Sequence, residues 1–587
     1  MAEQTAAVNR QVQLQEAFKL ALSMTLFYWL ALWMNWDLPK YGALAIIVVS
    51  LSTTGASLNK GVMRIAGTGL GALAGFALLS WFAQSPTGIL LGVSVYLLVI
   101  GYFMQTSRQA DTWFNAGFIA VAVWSSSYMK VDTAFHFASI RFLETAAGVS
   151  VFTLVSTLLW PRTSGQLLPQ QGKSLWTDLQ TLFGMYRQHL QGQALTDDTA
   201  ELRIRLAGAY QKLLSTLEGA YADTPAVKHN KAAWELLRVD LQAFAAAQEL
   251  WRESIADCKQ LPLDRLLPGL DMTLDTVAGR LVRGTALWLA QADPDHVQAG
   301  DDAALLTQPD MTVDPAAFAA LTLFQQAVLM NFVEQLKSLE TNSRDLLQTL
   351  RVLAGLDPAD RLHVMTQKAE PFRPVRWNPE RLLKAVFPAL CWITAWVFWV
   401  YVQPPGGPVV PMMATVFGLM MVMAPVNLLG LLLVLLLSMF IVVAPVYLLL
   451  MPTLDSGFSI LALIFVYTFC FGFLGGISPV LKIGPLLMFV NVANITNDQT
   501  YSFILLITGG LVMLMGVSIV VVVHRLLSPM HAEQILLRTL RRFFHGCAQI
   551  TAAYAPVPAA RMTAANKRRR RVFENRIQPL PEQLQAA

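Results

Sequence analysis

Charged residues are scarce in this 587-residue chain. They make up 14% of it, where a soluble protein has about 25%. Hydrophobic residues make up 55%, and the mean hydropathy is +0.48. Because a single hydrophobic core stops growing at roughly 250–300 residues, one core cannot bury an apolar excess of this size. The composition excludes a wholly soluble protein and predicts that much of the chain lies in a lipid bilayer.

Cysteine is scarce too, and catalytic signatures are absent. The four cysteines are far apart and form no CxxC pair, so the sequence supports neither a disulfide framework nor a thiolate metal site. It has no GxxxxGK phosphate loop, no HExxH zinc motif and no GxSxG elbow. We therefore expect a protein that is not an enzyme and uses no cofactor or metal. Transport would then depend on an ion gradient or on a separate motor protein.

The first 16 residues lack the basic-then-apolar pattern of a cleaved signal peptide, because they are polar and include Glu3 and Glu16. We expect the chain to begin in the cytosol. Most lysines and arginines of the apolar regions then lie on the cytosolic side, and only Lys40, Lys130 and Arg141 lie on the other. Cytoplasmic loops retain positive charge. This bias predicts that both termini and the middle of the chain are cytoplasmic.

The charges that are present divide the chain. Segments 17–161 and 381–523 hold 288 residues but only 16 of the 81 charges. Both segments are apolar enough to be membrane blocks, and the remainder is polar. The predicted domains are a cytoplasmic N-terminus at 1–16, a first transmembrane block at 17–161, a cytoplasmic helical domain at 162–380, a second transmembrane block at 381–523 and a cytoplasmic basic amphipathic tail at 524–587.

Each block resolves into six apolar stretches, most of them near the roughly 20 residues that a spanning helix needs. In the first block we predict helices near 17–36, 41–57, 65–83, 88–106, 112–129 and 141–160. In the second block we predict helices near 382–402, 408–424, 427–451, 458–476, 483–496 and 502–523. The predicted fold is an all-α polytopic membrane protein with two six-helix transmembrane repeats separated by a cytoplasmic helical bundle. Because six is an even number, the repeats would be parallel, related by an axis along the membrane normal.

Two pairs of residues support the repeat at an offset of 365, namely Lys19 with Lys384 and Pro39 with Pro404. Two tryptophan triplets with the same internal spacing lie at an offset of 363: Trp29, Trp33, Trp36 and Trp392, Trp396, Trp399. The two offsets differ by two residues, so the repeat is defined only at low resolution. The triplets are typical of lipid-facing or interfacial tryptophans, with a stacking site for aromatic rings as the alternative.

The polar middle and tail have helical patterns of their own. Leu175 and Leu179 belong to an apolar series with the 3.6-residue period of a helix. Asp314 is a helix start signal, and the apolar period that follows it runs to Gly355, which predicts one helix of about 40 residues. The tail mixes arginine with leucine and phenylalanine. This pattern favours a segment lying on anionic lipid over one that binds nucleic acid, so we expect the bilayer as a partner and no nucleic acid.

The third predicted helix carries Arg64 and a glycine series. Gly67, Gly71 and Gly75 recur every four residues on one face, which favours close helix packing. Arg64 has two interpretations. It is either a positive-inside anchor or a cation that attracts an anionic substrate at the cytoplasmic mouth.

The sixth predicted helix carries Arg141, Glu144 and, on the packing face, Gly148. Glu144 is the only carboxylate that falls convincingly inside a predicted span. Ionisable groups inside a membrane are costly and indicate function, here a proton carrier coupled to Arg141. The alternative is a structural ion pair between the two, because residues three apart share a helix face.

Lys19, Lys384, Asn491 and Asn494 complete the candidate substrate-binding residues. Lys19 and Lys384 either extend to the lipid headgroups or flank a central path that selects anions. Asn491, Asn494 and Asn497 are spaced by three residues, so they would share one face of the eleventh helix. An amide in lipid needs a partner, so this face should contact protein or water.

These motifs resemble those of the fusaric acid resistance and aromatic acid exporter family. The resemblance rests on the R-x-x-G-T-x-x-G series from Arg64, the R-x-x-E-T-x-x-G series from Arg141 and the Trp160-Pro161 end of that helix, together with the domain order. It implies export of small aromatic or amphipathic organic acids across a bacterial inner membrane. It also implies a periplasmic membrane-fusion adaptor and an outer-membrane channel, and a homo-oligomer is compatible with it. The second block departs from the motifs, since Asn427 stands in the place of Arg64 and no charge matches Glu144.

Three hypotheses remain at the level of sequence. The first is a proton-driven inner-membrane exporter of organic anions. The second is a passive organic-anion channel that uses the same cations but needs no proton-carrying group, so Glu144 discriminates between them. The third is a membrane scaffold whose cytoplasmic bundle binds a partner and which transports nothing.

Overall fold

A computed structural model describes residues 2–51, 53–107, 109–259, 261–290, 302–358, 379–423 and 427–527, with four short pieces between 536 and 548. The described residues form helices and no strand. Most of the predicted tail, 524–587, lies outside the described residues. The first six helices are α1 (Ala2–Trp33), α2 (Lys40–Val49), α3 (Thr54–Phe82), α4 (Pro86–Thr106), α5 (Ala110–Ser127) and α6 (Ala134–Leu158).

Each apolar stretch predicted in the first block overlaps one of these helices, but the boundary between the second and third was placed wrongly. The second helix was predicted to end at 57 and the third to begin at 65. In the structure α3 begins at Thr54, because the hydroxyl of Thr53 accepts a hydrogen bond from the Ala56 N–H and caps the helix. The polar residues that follow, including Lys60, gave the first turns of α3 the composition of a loop.

The central domain follows a 3₁₀ turn at Ser164–Leu167. Its helices are α7 (Leu168–Leu190), α8 (Asp197–Asp223), α9 (Pro225–His229), α10 (Lys231–Cys258), α11 (Leu263–Leu266), α12 (Leu270–Ala290), α13 (Ala303–Leu306), α14 (Pro315–Ala319) and α15 (Leu323–Leu353). The long helices α7, α8, α10, α12 and α15 enclose one apolar core that includes Trp176, Trp251 and Trp288. The middle of the chain is therefore a helical bundle.

The helix of about 40 residues expected after Asp314 is in fact two helices. Asp314 does start a helix, since its carboxylate accepts a hydrogen bond from the Ala316 N–H at 2.8 Å. That helix is α14, which ends after five residues. A second start follows, where Thr322 and Gln325 form a capping box at the beginning of α15. The sequence pattern missed this break because the apolar period continues across it.

Arg280 crosslinks the core of the central domain. It is 2% exposed, and its guanidinium donates to Glu340 Oε1 at 2.9 Å, to Ser343 Oγ at 2.9 Å and to the Leu305 carbonyl oxygen at 2.6 Å. These bonds tie α12 to α15 and to α13. A buried charge is tolerated when it is paired and hydrogen-bonded, as this one is.

The helices that follow the central domain are α16 (Pro379–Val402), α17 (Val409–Met423), α18 (Leu428–Leu437), α19 (Gly457–Leu474), α20 (Pro479–Ala493) and α21 (Phe503–Leu526). We call α1–α6 the first membrane set and α16–α21 the second membrane set. The helix that begins at α18 continues to Thr453 through π-helical turns at Ser438–Val443 and Val446–Leu450. Every stretch predicted in the second block overlaps one of these helices. The predicted helix 483–496 differs most, because α20 starts four residues earlier and ends three residues earlier.

Seven helices in the described part of the chain are long and apolar enough to cross a membrane, as judged by length and composition. They are Thr54–Phe82, Pro86–Thr106, Val131–Leu158, Arg381–Val402, Leu429–Thr453, Gly457–Leu474 and Phe503–Leu526. Three shorter apolar helices, α2, α17 and α20, accompany them. The chain is a multi-pass membrane protein.

The two membrane sets contact each other through a reciprocal pattern of helices. The first helix of the first set, α1, packs on the fourth helix of the second, α19, and α4 packs on α16. The second and fifth helices do the same, since α2 packs on α20 and α5 on α17. The central domain contacts the first set where α8 meets the N-terminus of α3.

Candidate functional site

The glycine series of α3 faces α5. A Cβ atom added at Gly71 would lie 2.6 Å from the carbonyl oxygen of Ala116, and one at Gly75 would lie 2.8 Å from that of Ala120. Gly67 meets the carbonyl oxygen of Thr112 in the same way. The two helices therefore touch at backbone distance along three turns, which only glycine allows.

We expect Gly71→Ala to lower the amount of folded protein. Its new methyl group would press on the backbone of α5, and overpacking of this kind costs about 1–3 kcal/mol. Gly509→Ala is a matched control, because a Cβ there meets only the flexible end of Met439, at 3.5 Å. The measurement is the monodisperse yield in detergent together with the midpoint of thermal unfolding. Equal behaviour of the two variants would contradict the packing role of Gly71.

Gly148 holds α6 against α2. A Cβ at Gly148 would collide with the backbone of Gly42, and one at Gly42 would lie 2.5 Å from the carbonyl oxygen of Glu144. The α2–α6 contact therefore fixes the backbone of α6 next to its ionisable residues.

Glu144 is buried at 3% exposure near the end of α1. One carboxylate oxygen, Oε1, accepts a hydrogen bond from the Leu38 N–H at 3.0 Å. The other oxygen, Oε2, is buried and has no hydrogen-bond partner among the described residues. A buried polar atom without a partner is rare and indicates a site where a proton, water or ligand completes the arrangement.

Arg141 lies one turn from Glu144, but no ion pair joins these two described side chains. The guanidinium carbon of Arg141 lies 3.9 Å from the centre of the Tyr41 ring and 4.8 Å from that of Phe118. Its Nε is buried without a hydrogen-bond partner among the described groups. In this structure the Arg141 guanidinium makes cation–π contacts with aromatic rings and is not paired with Glu144.

Arg64 of α3 is half-buried and close enough to Arg141 and Asp111 for their charges to interact. Its Nε, like the hydroxyl of Thr112, is buried and has no hydrogen-bond partner in the part of the chain that the structure describes. The charges of Arg64 and Arg141 thus interact between α3, α5 and α6, with Asp111 near Arg64 and Glu144 near Arg141. This cluster, Arg64, Arg141 and Asp111 beside Tyr41 and Phe118, is called the arginine cluster below.

The two lysines proposed as a repeat-related pair have different surroundings. Lys19 is 2% exposed, forms an ion pair with Glu16 at 2.8 Å and donates to the carbonyl oxygen of Trp160 at 3.0 Å. Lys384 is exposed. The charge of Lys19 is therefore neutralised within the fold, and its ammonium closes the end of α6.

The three asparagines do not form one helical face, because α20 ends at Ala493. Asn491 is exposed and donates to the carbonyl oxygen of Leu487 in its own helix at 2.8 Å. Asn494 adopts a left-handed cap with φ of +39°, and its Oδ1 is buried with no partner among the described residues. Asn497 lies beyond the helix and donates to Asn35 Oδ1 at 2.6 Å.

The two tryptophan triplets also have different surroundings. Trp29 and Trp33 stack on each other and are exposed on the outside of the helices. Trp392 and Trp396 are buried and pack on Trp124 of α5, with ring centres 4.8 and 5.0 Å from it. The second triplet joins the two membrane sets.

The sequence did not reveal the roles of Tyr41 and Phe118 beside the arginine cluster, or of Lys482 between the two membrane sets. Tyr41 and Phe118 contact Arg141, and no spacing signal links residues on three different helices. Lys482, at the start of α20, donates to the carbonyl oxygen of Ser50 at 2.8 Å and so binds the second set to the end of α2. The sequence signal for this contact is a lysine in the first turn of an apolar helix that begins at Pro479.

The comparison with protein families gives a match over nearly the whole chain. The fusaric acid resistance protein family matches residues 13–585. A search of curated proteins finds no match. The family is one of membrane transporters, which agrees with the apolar helices described above. With both membrane sets and the central domain inside the matched region, this chain belongs to the fusaric acid resistance protein family.

Proposed function

We propose that this protein exports small organic acids, with aromatic acids as the favoured class. The observation that carries the proposal is the arginine cluster. Arg64 and Arg141 each bury a guanidinium nitrogen without a described partner, and Asp111 lies near the charge of Arg64. A carboxylate substrate would complete the hydrogen bonding, and charge-assisted bonds to arginine are strong. Tyr41 and Phe118, whose rings now hold the Arg141 guanidinium, would contact an aromatic substrate once Arg141 turns to its carboxylate.

The two membrane sets are proposed to be parallel repeats about an axis along the membrane normal. The reciprocal contacts of α1 with α19 and α4 with α16 support this arrangement, since a twofold axis exchanges the members of each pair. The turns that end α1 and α16 support it as well. Asn35 and Gln403 both adopt positive φ there, at 52° and 50°, and lie 368 positions apart.

This register revises the sequence pairs. At an offset of 368 Lys384 corresponds to Glu16, one turn before Lys19. The tryptophan triplets are five residues out of register, which turns them by about 140° on the helix. That rotation agrees with the exposure of Trp29 and Trp33 and the burial of Trp392 and Trp396. At the same offset Asn427, which caps α18 through the Gly430 N–H at 3.1 Å, corresponds to Asn59 and not to Arg64.

The proposed location is a bacterial inner membrane with the termini and the central domain in the cytoplasm. The bias of lysine and arginine supports that orientation. Glu144 would then lie toward the periplasm, because α6 runs from that side to the central domain. We propose that Glu144 carries the proton that drives export. Its support is the unpartnered Oε2 and the bond of Oε1 to the α1–α2 turn, which movement of that turn would break.

Two further parts of the proposal rest on family membership. A periplasmic adaptor of the membrane-fusion type and an outer-membrane channel would carry the substrate onward, and the chain itself would be the inner-membrane subunit. A passive anion channel is the second candidate, because the arginine cluster would serve conduction equally well. The two differ in whether a proton gradient raises the substrate above equilibrium.

Uptake by inverted membrane vesicles tests the proposal. With an acidic lumen we expect the vesicles to accumulate benzoate-type acids above equilibrium, and to take up the matching neutral amides less. Passive trapping cannot explain that result, because weak acids leave an acidic compartment in their neutral form. Dissipating the gradient should stop accumulation. Equilibration that ignores the gradient would indicate a channel, and uptake no greater than in vesicles lacking the protein would reject both.

A further inference from the structure

The first turn of α3 and the last turn of α8 touch through two glycines. A Cβ at Gly55 would collide with the carbonyl oxygen of Gly219. A Cβ at Gly219 would lie 2.6 Å from Ser164 Oγ and 3.0 Å from the nitrogen of Ala56. The membrane helix and the central domain therefore meet backbone to backbone.

Asp223, at the end of α8, closes this contact with its carboxylate. Its Oδ2 accepts hydrogen bonds from the Gly55 N–H at 2.8 Å and from the Ser164 N–H at 2.6 Å. Its Oδ1 accepts from the hydroxyl of Thr224 at 2.8 Å. The first N–H groups of a helix have no partner within it and carry a positive partial charge. A carboxylate at this point satisfies one such group of α3 and is favoured by its charge.

The segment that leaves α6 enters the same contact. The Thr54 N–H donates to the carbonyl oxygen of Arg162 at 3.0 Å. Ser164 is fully buried, and its hydroxyl donates to Thr53 Oγ1 at 2.8 Å. One carboxylate thus joins three parts of the chain: the start of α3, the end of the α6 segment and the end of α8.

Both membrane helices in this contact lead to the arginine cluster. Arg64 lies nine residues after Gly55 on α3, and Arg141 lies on α6. A helix is stiff over that length, so a shift at its first turn moves the residues further along it. A shift of α8 that displaced the first turn of α3 would therefore move Arg64 relative to Arg141.

We propose that Asp223 is a positioning residue: it fixes α3 and α6 to the central domain and so sets the position of Arg64 relative to Arg141. Movement of the central domain, on this proposal, changes the arginine cluster through Asp223. The role in transport rests on the proposed function above. The mechanical role does not, and the test separates the two.

The test uses the full chain in lipid nanodiscs and three variants. Asp223→Ala removes both acceptors, whereas Asp223→Asn keeps one oxygen for the N–H groups. Glu218→Ala is the matched control, because Glu218 is exposed and lies on the same end of α8. Hydrogen exchange of the first turn of α3 and of residues 162–166 should be about tenfold faster in Asp223→Ala. Asp223→Asn should restore most of the protection, and Glu218→Ala should match the wild type.

Spin labels report the position of the helices without any substrate. Val62 and Leu143 each lie two residues from an arginine of the cluster and are 57% and 63% exposed, so cysteines there can be labelled once the four native cysteines are replaced. Asp223→Ala should shift or broaden the distance distribution between these labels. An unchanged distribution, or an equal change in Glu218→Ala, would overturn the positioning role.

Transport then tests the link to function. In Asp223→Ala the apparent KM for an aromatic acid should rise about fivefold, with a smaller change for its neutral amide. A changed label distance with an unchanged KM would overturn the link to substrate binding. If the wild type transports no acid, the proposed function fails, whereas the label distances still decide the mechanical role.

Discussion

Glu144→Gln is expected to abolish gradient-driven accumulation of organic acids while binding and downhill exchange stay measurable. Glutamine has nearly the shape of glutamate, and its side-chain oxygen can still accept the hydrogen bond from the Leu38 N–H. The variant should therefore fold. It cannot take up and release a proton at this position, so substrate should reach its equilibrium distribution and stop there. Accumulation in inverted vesicles with an acidic lumen measures the effect.

Asp132→Asn is the matched control for that experiment. Asp132 is an exposed carboxylate in the short turn just before α6, so the same chemical change is made outside the buried site. Its accumulation should equal that of the wild type. A structural role for Glu144 makes a different forecast, in which protein level, binding and exchange are lost together. Full accumulation by Glu144→Gln with normal expression would reject both roles.

Burial of the Glu144 carboxylate costs free energy of folding. A buried carboxylate with one oxygen unpartnered among the described residues destabilises the fold. A paired structural residue would have both oxygens satisfied, and Arg141 is only one turn away to do so. The structure instead directs Arg141 to Tyr41. A group that remains unsatisfied beside an available partner is better explained by function than by stability.

The helices could be predicted from the sequence, because a spanning helix needs a long apolar run and such runs are visible without any knowledge of packing. Their ends were harder to place. Thr53 begins α3 by capping it, and a single hydroxyl is weaker evidence than the polar residues after it. The break between α14 and α15 was missed for a related reason, since the apolar period runs through Thr322 unchanged.

The candidate site was predictable one residue at a time but not as an arrangement. Arg64 was selected as a cation at the cytoplasmic mouth of the third predicted helix, and Arg141 because it is three residues from Glu144. That they approach each other depends on how α3 packs on α6, which no spacing within one helix reveals. The same holds for Lys19, whose partner Trp160 is 141 positions away. By charge alone Lys19 and Arg64 are equivalent candidates. In the structure Glu16 neutralises Lys19, whereas Arg64 lies near a second cation, Arg141.

That difference yields the last prediction, a set of matched substitutions at three cations. Arg64→Gln should weaken export of aromatic acids roughly tenfold to a hundredfold in kcat/KM, because a charge-assisted hydrogen bond contributes about 1.5–3 kcal/mol. Neutral amides should be affected far less, since the lost attraction is Coulombic. Arg64→Lys should recover part of the loss, because it restores the charge without the planar, multi-donor geometry of arginine.

Lys19→Gln and Lys384→Gln should behave differently from Arg64→Gln and from each other. Lys19→Gln leaves Glu16 without its partner and weakens the contact with Trp160, so we expect less folded protein and an equal loss for acids and amides. Lys384→Gln alters an exposed side chain and should change little. Transport rates normalised to the amount of folded protein distinguish these outcomes. Equal losses for acids and amides in Arg64→Gln would show that this arginine supports packing, and the arginine cluster would then no longer explain a preference for anions.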